Sequence, residues 1–164
     1  MERLWAPWRM EYIKRTKKNS GCIFCDKPEQ DSDIENLILF RGRTCFVIMN
    51  FYPYNNGHLM VVPYRHLCDF HALSAEERNE MMALVDASID VIKADMQPQG
   101  FNLGMNIGSV AGAGIAGHLH FHIVPRWNGD TNFMPVTGHT KVISEVLTET
   151  CRHLRKKFTQ YMTR

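Results

Sequence analysis

The sequence predicts an α+β fold: an antiparallel sheet of about five strands, one long central helix, and a C-terminal helix that closes the domain. Three observations carry this. Short apolar runs of strand length alternate with Gly, Pro and Asn turns, a long stretch with helical spacing follows a capping pair, and two further strand-like runs flank a glycine-rich loop. At 164 residues and 45% hydrophobic content the chain can bury a sizeable core, and it contains no internal repeat, so it reads as one domain.

In chain order, residues 37–40, 44–49 and 58–62 are the first strand candidates, separated by Arg41-Gly42-Arg43 and by the turn-rich stretch 50–57. They suggest an antiparallel meander. Ser74 and Glu77 form a capping-box pair, and Met81, Leu84, Val85, Ser88 and Ile92 recur at helical spacing, which predicts the long helix with its methionines as core filler. After Pro98 and Gly100, residues 101–106 and 117–124 read as strands. A final helix is expected from about residue 141 into 155–158, with Val142, Val146 and Leu154 available for packing.

The formal net charge of +2 does not point to nucleic acid or a membrane surface. Its basic clusters, Lys14, Arg15, Lys17 and Lys18 and then Arg152, Arg155, Lys156 and Lys157, read as solvated faces. No stretch has the apolar length of a membrane span, and Arg3, Arg9 and Glu11 interrupt the N-terminal tryptophans, unlike a signal peptide. A cytoplasmic protein is expected, with no membrane and no stable nucleic-acid partner.

The chemistry concentrates in Gly117-His118-Leu119-His120-Phe121-His122-Ile123-Val124. On a strand, side chains alternate, so His118, His120 and His122 would share one face while the apolar residues pack the other. Three imidazoles have no packing reason to line a core strand. Each can act as base, nucleophile or metal ligand near neutral pH, so the array reads as a working site, with a metal site as the rival.

Cys22-Ile23-Phe24-Cys25 is the second constellation. One Cys-x-x-Cys is half of a tetrahedral zinc site or a redox dithiol. The acidic, turn-like stretch 28–36 is unlike the βαβ context of a redox motif, which favours zinc. Cys45, Cys68, Cys151, His71, His139 and His153 fall in no such pattern and read as structural or surface residues. Between the last two strands, residues 108–114 are small enough for backbone N–H groups to approach an anion.

The triad stretch resembles the signature of the histidine triad family, and the similarity extends to Asn50, Pro53, Gly57, His58 and Val62-Pro63-Tyr64-Arg65-His66. Residues 124–133 and Leu4-Trp5-Ala6-Pro7-Trp8-Arg9 are similar to the branch containing bacterial diadenosine tetraphosphate phosphorylases. The resemblance implies a HIT-like fold in a single domain over 1–164, with an N-terminal extension (1–36) bearing the Cys pair, a core (37–126), and a C-terminal segment and helix (127–164).

For function, the resemblance implies a nucleotide-binding nucleotidyl hydrolase or transferase. It would cleave dinucleoside polyphosphates at an α-phosphorus through a covalent nucleotidyl-histidine intermediate. His120 would be the nucleophile, its other ring nitrogen held by a backbone carbonyl; His122 would stabilise the leaving group, and His58 would support the triad by hydrogen bonding. Asn50 is expected at the ribose, Asn106, Gly112 and Gly114 at the phosphates, and Phe46 or Ile48 at the base. Relatives place Gln or Ser about four residues before the first triad histidine; this chain has Gly114-Ile115-Ala116, so loop N–H groups would substitute, and water or phosphate remains open as acceptor. Bacterial relatives also imply that His66 and His118 complete a structural zinc site with Cys22 and Cys25, and that the chain forms a homodimer through its Trp-rich N-terminus or the segment after Arg126. The alternatives are a nucleoside phosphoramidate hydrolase, a nucleotide-binding protein with little turnover, and a metalloenzyme with zinc on all three triad histidines.

Overall fold

The computed structural model describes residues 21–130 and 146–163. The N-terminal tryptophans and basic cluster, His139, Val142 and the expected helix start at 141 lie outside these residues.

Five strands form one sheet: β1 (Ile38–Arg41), β2 (Cys45–Met49), β3 (Leu59–Pro63), β4 (Gly100–Met105) and β5 (Phe121–Arg126), in the order β1-β2-β3-β5-β4. Every neighbouring pair is antiparallel. β1 to β3 make the expected meander, and β5 inserts between β3 and β4. That insertion seats β5 in the interior of the sheet, where Ile123 is buried between Leu59 and Leu103.

A one-turn helix, α1 (Ile23–Asp26), leads in; α2 (Ala75–Met96) is the long helix and α3 (Leu147–Met162) the last. The capping box forms as the sequence predicts: Ser74 Oγ accepts from the Glu77 amide and the Glu77 carboxylate accepts from the Ser74 amide. Met81, Leu84, Val85, Ser88 and Ile92 are all buried, whereas Met82, one position off that stripe, is half exposed. α2 packs across β2, β3 and β5, and α3 lies against α2 and β1, with Phe158 stacked on Phe40.

Two expectations need correction here. Val146 is not a packing residue; it sits just before α3 and is exposed, and Thr150, Cys151, Leu154 and Phe158 form the buried stripe. Arg155 is not on a solvated face, because its guanidinium pairs with Asp33 at 2.7 Å and donates to the Ile38 carbonyl. Among the described residues, no helix is long and apolar enough to cross a membrane.

Glu77 does more than cap α2. Its buried carboxylate also accepts from Arg65 Nε and Nη2 at 2.7 and 2.6 Å, tying the segment after β3 to the helix start and holding its pKa down at about 2. A depressed carboxylate pKa stabilises the fold above the unfolded value, and the contribution fades as pH falls through the folded one. Glu77→Gln should therefore cost about 2 kcal/mol at pH 7, after allowance for the exposed Arg65 side chain. In urea titrations the deficit should stay constant down to about pH 5 and shrink between about pH 4.5 and 2. A pH-independent deficit would mean that packing, not charge, holds this corner.

Candidate active site

The three histidines do not lie on one strand. β5 begins at Phe121, so His122 is a strand residue, while His118 and His120 belong to the extended approach to it. The ladder with β3 stops at Val61 and Phe121, so the approach is unpaired by the sheet, and its Leu119 amide donates to the Leu67 carbonyl instead. All three rings are nevertheless buried, and the backbone fixes the proton on each.

A carbonyl oxygen can only accept, so the ring nitrogen facing it must carry hydrogen. His118 Nε2 lies 2.9 Å from the Pro63 carbonyl, which leaves its lone pair on Nδ1. His120 Nδ1 lies 2.8 Å from the His118 carbonyl, which leaves its lone pair on Nε2. The third ring is set through an intermediary. The Tyr54 amide donates to His58 Nδ1 at 3.0 Å, so His58 carries its proton on Nε2 and donates it across 2.9 Å to His122 Nδ1. His122 in turn holds its own proton on Nε2. Burial pushes the His120 pKa down, partly offset by the bond to the His118 carbonyl, so this ring is a neutral imidazole near pH 7.

His120 and His122 line a cavity of about 350 Å³. Asn50, Asn106, Gly112 and Gly114 line it as well. Asn50 is partly committed, its side-chain carbonyl accepting from the Tyr52 amide. The glycine loop offers fewer amides than its composition suggests, since Gly112 N–H and Ala113 N–H are spent on the Ser109 and Gly108 carbonyls.

Phe46 and Ile48 do not line the cavity, contrary to expectation. By register they share the sheet face of Met60 and His122, but both are sealed in the core, Phe46 packing on Tyr64. Their place in the wall is taken by Met60 from the neighbouring strand, by Ile23 and Phe24 of α1, and by Phe51, Tyr52 and Tyr54. Sequence reasoning missed this aromatic loop, although the density of aromatics in 51–54 was a legible signal. Gly57, which closes the loop, adopts φ +69°, a conformation glycine takes without penalty, and a Cβ there would come within 2.7 Å of Met96 Sδ. The next residue, His58, is held at zero exposure, its ring stacked on Tyr54.

His118 turns away from the cavity. Its Nδ1 lies 3.3 Å from Cys22 Sγ and 3.5 Å from Cys25 Sγ, and His66 Nδ1 lies 3.3 Å from Cys25 Sγ. The four donor atoms fall within 4.8 Å of one another, the only such group of three or more among the described residues. Sulfur and nitrogen ligands about 2.3 and 2.0 Å from one tetrahedral ion stand about 3.5 Å apart, so the set fits zinc. The hydrogen bond behind His118 fits as well, because the Pro63 carbonyl leaves the His118 lone pair on the nitrogen facing the thiols. The donors do not suit a redox pair, since burial and the neighbouring Cys22 push the Cys25 thiol up to about 11 where a reactive thiolate needs a lowered value. Nor can one metal bind all three triad rings: His118 Nδ1 faces the cysteines and His120 Nδ1 is used by a carbonyl. Phe24 stands between the two centres, its ring 5.5 Å from that of His118 and 5.0 Å from that of His120.

The family model described as HIT domain matches residues 31–129 of the chain. A curated protein of Mycobacterium tuberculosis named AP-4-A phosphorylase is 44% identical over 162 residues, covering 94% of this chain and 83% of the relative. Among solved structures, a zinc-bound histidine triad family protein from Mycobacterium smegmatis superposes with a TM-score of 0.66 at 22% identity, over 87% of this chain and 96% of the other. Plasmodium falciparum diadenosine triphosphate hydrolase gives 0.63 at 16%, over 76% and 77%. These last two likenesses establish the shared fold.

Proposed function

Because the chain belongs to the HIT domain family, we propose that it cleaves dinucleoside polyphosphates such as diadenosine tetraphosphate at an α-phosphorus, through a covalent nucleotidyl intermediate on His120. One observation carries the proposal: the backbone leaves the lone pair of His120 on Nε2 of a neutral ring that lines the cavity, beside a His122 that holds a proton on its own Nε2.

In the first step, His120 Nε2 attacks phosphorus and forms a P–N bond. The P–O bond to the leaving polyphosphate breaks, and its electron pair stays on the departing oxygen, where the His122 N–H stabilises it. His120 retains the proton on Nδ1, so the ring becomes cationic in the intermediate and the His118 carbonyl stabilises that charge. In the second step, an oxygen of water or phosphate attacks and forms a P–O bond, the P–N bond breaks with its electron pair returning to His120 Nε2, the proton of an attacking water passes to solvent, and the ring returns to neutral. Asn50 and Asn106, which line the cavity, would contact ribose and phosphate.

Zinc belongs to the same proposal, as a structural ion held by Cys22, Cys25, His66 and His118, where it would cross-link α1 to the chain on either side of the site. A homodimer in the cytoplasm is what the family resemblance adds.

The test is product analysis by chromatography after incubation with diadenosine tetraphosphate, with and without inorganic phosphate. ADP plus ATP formed only with phosphate supports phosphorolysis, and AMP plus ATP in either case supports hydrolysis. Intact substrate under both conditions overturns the proposal.

A further inference from the structure

A second cavity, of about 440 Å³, adjoins the first, and Tyr54, Asn106 and His122 line both. Its floor is built by β4 and β5, whose register sets Asn102 opposite Val124 and Gly104 opposite His122. Directly opposed residues project from one face, so this floor continues the face that carries His122. Gly104 is the informative position. A Cβ there would meet no described atom within 4 Å, and its φ is not positive, so neither crowding nor backbone strain calls for glycine. Glycine weakens a strand interior, and its use there often marks a bulge, a bend or the close approach of a ligand or another backbone; the β4–β5 register is unbroken, which removes the bulge.

We propose that the second cavity holds the second nucleoside of a dinucleoside polyphosphate, so that the polyphosphate passes His122 between two nucleoside sites; this deepens the proposed function and rests on it. The wall chemistry decides against an anion. Arg126 directs Nε and Nη2 at the Asp130 carboxylate, at 2.6 and 2.9 Å, and Nη1 at Asn102, so its charge is matched and its geometry committed. A phosphate in this cavity would face the carboxylate of Asp130. A neutral, flat group with polar edges meets better partners: the Tyr54 ring and the amide of Asn106, which both donates and accepts. The volume falls in the ~300–1,000 Å³ range of small-molecule sites.

The test is calorimetric binding in a His120→Ala background, in which the ligands stay intact, comparing diadenosine tetraphosphate with adenosine 5′-tetraphosphate, which lacks the second nucleoside. The two-nucleoside ligand should bind about tenfold or more tightly, and Gly104→Val should reduce that preference to about twofold or less, with Gly104→Ala between them. Thermal melting of each variant shows whether the strand accepts the side chain, and β-branched valine suits a strand.

Equal affinities in the parent, or a preference that survives Gly104→Val, would overturn the assignment. So would parallel weakening of both ligands with a lowered melting temperature, which would mean that the space serves packing. Failure of the wider reading looks different: the native protein would show the preference abolished by Gly104→Val, yet cleave neither ligand.

Discussion

His120→Ala should lower kcat on diadenosine tetraphosphate by about 10⁴-fold or more while leaving thermal stability and zinc content unchanged. The magnitude follows from removing a nucleophile, because the rest of the machinery accelerates a bond-breaking step that no longer has an attacking group. The unchanged zinc content follows from geometry: His120 commits Nδ1 to the His118 carbonyl and lies outside the quartet of donor atoms. His122→Ala should cost less, about 10²- to 10³-fold in kcat, since it removes a hydrogen-bond donor to the developing charge and leaves the P–N bond free to form. Mass spectrometry of enzyme denatured under alkaline conditions, which preserve a P–N bond, should find a nucleotidyl adduct on the native chain and the His122 variant, and none on the His120 variant. An adduct on His120→Ala, or turnover within about tenfold of native, would remove His120 from the role of nucleophile.

The second large effect concerns the metal. Cys22→Ser should bring bound zinc, read by atomic emission, from about one equivalent to well below it, and should destabilise the fold by about 4 kcal/mol, the range for loss of a structural metal. The donors come from the start of α1, from the segment after β3 and from the approach to β5, so an ion held by them would close loops that burial of Phe24 alone does not secure. Activity should fall with it, by about 10- to 100-fold, because the residue that binds the metal through Nδ1 also supplies the carbonyl that orients His120. The loss should appear in kcat before KM. Zinc retained in full by Cys22→Ser, or unchanged stability after dialysis against a chelator, would take the metal out of this account.

The meander, the capping box and the buried stripe of α2 were legible in the sequence because each depends on contacts within a few residues and obeys the period of its own element. The histidine run was read too simply. Alternation implied one strand with three rings on one face, but the ladder with β3 stops at Val61 and Phe121, and beyond it the Pro63 carbonyl is taken by the His118 side chain instead of a ladder hydrogen bond. The base wall was misassigned for a related reason. Phe46 and Ile48 have the correct parity for the cavity face, yet parity does not say which part of a face another segment covers.

The residue types of both centres were thus set locally: the histidine run, the Cys-x-x-Cys pair, and the small loop beside them. What only the tertiary structure decided is the state and aim of each ring. The Pro63 carbonyl, 55 residues from His118, leaves that ring's lone pair on the nitrogen facing the cysteine thiols; the His118 carbonyl leaves the lone pair of His120 on Nε2; and the Tyr54 amide, acting through His58, puts the proton of His122 on Nε2. A tautomer is chosen by whichever backbone atom packing brings within about 3 Å, at net energies of about 1 kcal/mol per bond. Sequence spacing can place an imidazole, but the proton on it is settled by neighbours that are distant along the chain.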